Sequence, residues 1–304
     1  MKTFWQARHR RFLADVLIVI GVFVTVASSG QTLWAGLEEA MLFYPSKYPE
    51  GNWDSPALGR DRYDVLIDIN TGKEISTGEL AEAKKRVEQK RNAESGNTLQ
   101  PQGSSFMFSP SAISPVSPPS PGTGSSDAGS RPDVDDAAAK KPINPDEYIH
   151  GWYLKHPNPK AVVLYCHGNA GNITHRAGVL KILHDQLACS VFIFDYRGYG
   201  KSGGKPSEKH ILEDGRAAMT WLAGKENIDK TQIVLLGRSL GGAVAVDLAV
   251  NEGCRGLIIE STFTSVHDMA RVYAPWAPTA LLVQSPLNSL KKIPNYQGPL
   301  LHSH

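Results

Sequence analysis

The residues best placed to do chemistry lie in the stretch TQIVLLGRSLGGAVAVDLA, Thr231 to Ala249, where Ser239 stands inside a Gly-x-Ser-x-Gly frame. A serine hydroxyl is a poor nucleophile at neutral pH. Acyl transfer therefore needs the hydroxyl exposed, a base held against it, and donors for the oxyanion that develops. The frame supplies the exposure. The apolar VLL before it reads as a strand, the small-residue run after it reads as a helix, and Gly237 and Gly241 flank Ser239 where a sharp strand-to-helix turn leaves no room for side chains. The helix that follows turns its N-terminus toward the hydroxyl, and the N–H of Leu240, the residue after the nucleophile, is the first expected oxyanion donor. The second should come from a loop after an earlier strand. CHGNAGN fits, with Gly168 letting the backbone of Asn169 or Ala170 approach the substrate. His167 reads as a structural loop residue, because it precedes the serine and sits on the oxyanion side.

These residues need a scaffold, and from Ala161 the sequence alternates strand and helix. AVVLYCHGN and SVFIFDYRGYG are β-rich runs ending in Gly-rich turns, while RAGVLKILHDQLA and HILEDGRAAMTWLAG carry helical spacing. QIVLLG, GAVAVDLAVNEG and GLIIESTF continue the alternation. The pattern predicts an α/β fold, a mostly parallel sheet with helices on both faces and its chemistry at the C-terminal ends of the strands. Upstream, RYDVLIDINTGKEI alternates as a strand and turn, and EYIHGWYLKH resumes a strand pattern as if a segment had been inserted into a hairpin.

Composition divides the chain. Residues 1–11 are basic, and residues 12–34 form an apolar segment that reads as a transmembrane anchor or, through VASSGQ, a signal peptide. Lys2, Arg8, Arg10 and Arg11 precede the span, so the positive-inside bias places the N-terminus in the cytoplasm and the remainder on the opposite side. Residues 35–75 begin the folded domain. Residues 76–142 hold a helix, started by a Ser76–Glu79 capping box and poor in apolar residues, and then a Ser/Pro-rich insertion expected to be disordered. Residues 143–304 are the α/β core. A balance of 32 basic to 30 acidic residues argues against nucleic acid as a partner. Cys166, Cys189 and Cys254 show no metal-site spacing and read as small core residues. No nucleotide loop, flavin motif or metal cluster is visible, so neither cofactor nor metal is expected, and the oligomeric state is not legible.

HGNAGN, DYRGYGKSGG, GRSLGGAVA and ESTFTS together resemble the α/β-hydrolase superfamily, in particular its membrane-anchored, bud-emergence-type, serine aminopeptidase-like members. The resemblance implies an acyl-enzyme on Ser239, with Asn169 and Leu240 at the oxyanion positions, acting on a small acyl-containing substrate. It also implies an acid after strand 7 and a histidine after strand 8. GPLLHSH looks like strand 7, so the core is expected to be incomplete at its C-terminus and the activity weak or absent, the alternative being a non-catalytic scaffold with a degenerate pocket. Glu260, which ends the GLIIE strand, is a geometrically allowed substitute acid, and His267, His302 and His304 are the remaining base candidates.

Overall fold

Successive residues of a strand point to opposite faces, so a strand buried on both sides must be apolar throughout. Cys189–Asp195 and Tyr148–Leu154 are buried along their whole length and lie side by side inside the sheet. The computed structural model describes residues 43–55, 58–59, 62–96, 142–273, 275–276 and 287–304. The apolar segment 12–34 and the Ser/Pro-rich stretch after residue 96 lie outside these. Among the described residues no helix is long and apolar enough to cross a membrane.

In chain order the elements are β1 (Arg62–Asp68), α1 (Thr77–Gly96), β2 (Tyr148–Leu154), β3 (Ala161–Cys166), α2 (Ala177–Lys181), β4 (Cys189–Asp195), α3 (Glu208–Glu226), β5 (Ile233–Arg238), α4 (Leu240–Glu252), β6 (Gly256–Glu260), α5 (Val266–Tyr273), α6 (Ser289–Lys292) and β7 (Leu300–Ser303). One seven-stranded sheet has the order β1-β2-β4-β3-β5-β6-β7. β1 and β2 form the expected hairpin, Arg62 opposite Leu154 through Asp68 opposite Tyr148, and β2 is also antiparallel to β4. All other pairs are parallel.

Each face of the sheet has its own core. Phe192 and Phe194 of β4 pack with Trp221 of α3 and Val244 and Leu248 of α4 on one side. Val191 and Ile193 turn to the other side, against Trp152, Tyr165, Ile173 and Leu180. α1 starts as expected: Ser76 Oγ accepts from Glu79 N (3.2 Å) and Glu79 Oε2 accepts from Ser76 N (2.9 Å). The helix expected after β3 is less regular than its spacing suggested. A 3₁₀ turn (Ile173–Arg176) precedes α2, and a π turn (Ile182–Gln186) follows it. All three cysteines are free; Cys166 and Cys189 are buried, and burial pushes the Cys166 thiol well above its ordinary range.

Candidate active site

Between β5 and α4 the chain turns through a single residue. Ser239 has φ 51° and ψ −117°, a left-handed conformation that costs a residue with a β-carbon about 1–3 kcal/mol. The turn closes because three glycines leave no side chain in the way of the neighbouring segments. A Cβ on Gly237 would lie 2.3 Å from the Gly241 carbonyl oxygen, one on Gly241 1.9 Å from the Cys166 oxygen, and one on Gly242 2.4 Å from Thr262 Oγ1. Hydrogen bonds hold the strained residue on both sides. Ser239 N donates to the Glu260 carbonyl (2.9 Å), and the Ser239 carbonyl accepts from Gly242 N (2.9 Å) and Thr262 Oγ1 (2.9 Å).

The loop after β3 abuts this turn. A Cβ on Gly168 would sit 3.4 Å from Ser239 Cβ and 3.3 Å from the Arg238 oxygen. Asn169, the next residue, is fixed through its side chain: its Oδ1 accepts from Tyr199 Oη (2.8 Å) and from the Tyr44 N–H (3.1 Å). Leu240 is 2% exposed and opens α4, where a helix has no intrahelical acceptor to offer. Neither the Leu240 nor the Asn169 N–H has an acceptor among the described residues. Two unused donors thus flank a half-buried serine at the C-terminal edge of the sheet.

The other expected residues are placed as follows. His167 is fully buried behind the loop, its Nδ1 donating to the Gly168 carbonyl (2.8 Å), its Nε2 3.5 Å from Asp195 Oδ1, and its own carbonyl accepting from Tyr196 Oη (2.9 Å). Glu260 ends β6 directly opposite Arg238 and lies 3.9 Å from its Nε. His267 is the second residue of α5, its Nδ1 3.8 Å from Asp268 Oδ1. His302 pairs with Ile259 from β7, and His304 follows, both exposed. Among the described residues Ser239 Oγ has no hydrogen-bond partner, so none of these candidates is hydrogen-bonded to it. Thr262, Gly242, Tyr199 and Tyr44 support the site without having been singled out in the sequence. Thr262 had a signal in its ESTFTS motif, whereas the Tyr44 contact spans 125 positions and left none.

A strained serine at the β5–α4 turn, a glycine-lined loop beside it and a sheet antiparallel only at one edge form one architecture, and residues 157–298 match the family described as serine aminopeptidase, S33. Over this region the chain is similar to the α/β-hydrolase superfamily. It is similar to the alpha/beta hydrolase domain-containing protein WAV2 of Arabidopsis thaliana, 44% identical over 132 residues that cover 42% of this chain and 43% of the relative. Protein bem46 of Schizosaccharomyces pombe is 37% identical over 148 residues, 45% of this chain and 50% of the relative. An uncharacterized membrane protein of Saccharomyces cerevisiae is 40% identical over 120 residues, 39% and 42% of the two chains. The chain spans about half the length of the curated relatives it matches.

The loop after β4, which carries Tyr199, is tied to α3 by a buried ion pair. Arg197 donates to Asp214 through Nε (2.6 Å) and backbone N (2.8 Å), and through Nη2 to Glu213 (2.7 Å). Burial pushes the Asp214 carboxyl up to about 7, against the pull of Arg197. Removing one partner of a buried pair strands the other, so Arg197→Met should cost about 3–5 kcal/mol at neutral pH. The loss should have a pH signature. An Asp214 pKa raised above its ordinary 3.8 means that folding takes up a proton, so its contribution is complete below about pH 4 and fades as pH rises toward 7. Without Arg197 the carboxyl rises further, and denaturant midpoints of Arg197→Met should approach those of the parent near pH 4.5 and diverge by pH 8. A constant difference across that range would contradict this.

Proposed function

We propose that the protein is a serine hydrolase that cleaves an ester, thioester or amide of a small acyl-containing substrate through an acyl-enzyme on Ser239. The observation that carries this reading is the pair of unused N–H groups of Leu240 and Asn169 beside a serine held at φ 51°. In the reaction Ser239 Oγ bonds to the substrate carbonyl carbon as its proton passes to a base, and the two N–H groups receive the oxyanion. Collapse of the tetrahedral species expels the alcohol, thiol or amine with that proton. Water then enters by the same route and releases the acid. The test is hydrolysis of 4-nitrophenyl butyrate by the parent and by Ser239→Ala. Slow turnover that depends on the serine, detectable in the parent and lost in the variant, is the expected result. Equal rates from both proteins would overturn the reading.

A second reading, a non-catalytic scaffold with a degenerate pocket, has its own support: Ser239 Oγ lacks a hydrogen-bonded base among the described residues. An unassisted serine retains only what the oxyanion donors and substrate binding supply, about 10³–10⁴ over water in well-studied triads. We therefore propose that residues 1–304 alone react weakly.

We further propose that residues 12–34 anchor the protein as a single span, with the N-terminus in the cytoplasm and the hydrolase domain on the opposite side. The basic start, the apolar run and the yeast relative's name as a membrane protein support this. Alkaline carbonate should leave the protein in the membrane pellet, and protease added from the cytoplasmic side should spare the domain. Release by carbonate would contradict the anchor.

A further inference from the structure

A cavity of about 670 Å³, within the range that small-molecule sites occupy, lies between α1, β1, β2 and the loop after β4. It is separate from the Ser239 turn. β2 is three strands away from β5, about 14 Å at ordinary strand spacing. Its floor is apolar, made by Leu66, Ile75, Leu80 and Tyr148.

The charges around this floor are unequally committed. Asp64 is taken up by the scaffold, accepting from Trp152 Nε1 (3.2 Å) and bonded to His150 Nε2 (2.8 Å), with Arg62 Nη2 at 3.5 Å. Glu74 likewise accepts from Trp221 Nε1 (3.3 Å) and pairs with Lys225 (3.5 Å). The two lysines have no carboxylate within ion-pair distance, although the Lys201 charge acts on Asp64 at longer range. Lys84 Nζ donates only to Tyr148 Oη (3.3 Å), and Lys201 Nζ lies over the rings of Trp53 (4.7 Å) and Tyr48 (5.3 Å). Neither forms an ion pair with a carboxylate among the described residues. His150, on the cavity wall, is 2% exposed, and its Nδ1 has no hydrogen-bond partner. Two ammonium groups with no carboxylate within ion-pair distance leave positive potential over the apolar floor.

We propose that this cavity is a second ligand site, for a small amphipathic anion whose carboxylate or phosphate head meets Lys84 and Lys201 and whose aromatic or alkyl body covers Leu66, Ile75 and Leu80. Lysine ammonium groups bind such heads as point charges, and the aromatic rings under Lys201 hold it in place without neutralising it. The site is independent of the acyl chemistry proposed for Ser239.

The test is calorimetric titration of the full chain, in uncharged phosphatidylcholine discs, with 1-naphthyl phosphate. Inorganic phosphate and 1-naphthol serve as its two halves. The expected result is saturable binding of 1-naphthyl phosphate at least tenfold tighter than either half, weakened tenfold or more in the Lys84→Met/Lys201→Met double variant and weakened by added salt. The unfolding midpoint of the double variant checks that its fold is intact. Repeating the titration in discs containing phosphatidic acid separates the sources of the head group. Loss of affinity there means that a membrane-borne phosphate reaches the site, and unchanged affinity means that a free solute does. Absence of saturable binding at millimolar concentration, equal affinity for 1-naphthol, or full affinity in a folded double variant would overturn the proposal.

Discussion

Replacing Gly241 by alanine should destabilise the domain by about 3 kcal/mol or more, at the upper end of what added methyl groups cost in a packed core. The added Cβ would lie 1.9 Å from the Cys166 oxygen, 2.4 Å from its carbonyl carbon and 2.6 Å from the His167 oxygen. All three are backbone atoms of the end of β3 and the loop that carries Asn169. No side chain can swing aside, so either α4 moves away from β3 or the loop moves away from Ser239. Either movement separates the two N–H donors, and the reactivity of Ser239 should fall together with stability. Gly224, in α3, is the control. A Cβ there meets nothing within 4 Å, so Gly224→Ala should be neutral or gain about 0.5–1 kcal/mol from the stiffer unfolded chain and better helix propensity. Thermal and denaturant unfolding of the two variants should shift in opposite directions. A Gly241→Ala protein as stable as the parent would mean that the close crossing of β3 and α4 is not what confines this position.

The local parts of this site were legible in the sequence. Gly237 and Gly241 around Ser239 announce the turn, because a sharp strand-to-helix junction excludes side chains at those two offsets. The period-2 and apolar runs gave the strands, including the β1–β2 pairing across the long insertion. What was not legible depends on distant contacts. Gly242 needs its hydrogen only because Thr262, from the segment after β6, lies against it. Tyr199 and Tyr44 hold Asn169 from positions 30 and 125 residues away. Arg197 and Asp214 look like surface residues on charge alone, yet both are buried because the loop after β4 folds down onto α3. The lysines of the second cavity follow the same rule. Their lack of carboxylate partners depends on Asp64 and Glu74 being engaged elsewhere, which no periodicity encodes.

The most direct test of Ser239 as a prebuilt nucleophile without a base in contact is the pH dependence of its labelling by a fluorophosphonate in residues 1–304. The strained turn and the two proposed oxyanion donors favour attack at this one serine. Intact mass and peptide mapping should therefore find the adduct on Ser239, and Ser239→Ala should carry none. The rate reports the base. A histidine held against the hydroxyl would make labelling level off once it is neutral, near its ordinary value of about 6.5, whereas an unassisted hydroxyl gains about tenfold per pH unit as its ionised fraction grows. The predicted result is slow labelling at Ser239 whose rate climbs steadily from pH 6 to pH 9. A plateau near pH 7, abolished by replacing Glu260 or one of His267, His302 and His304, would contradict this and place an internal base at the serine; an adduct on any other residue would remove Ser239 from the chemistry altogether.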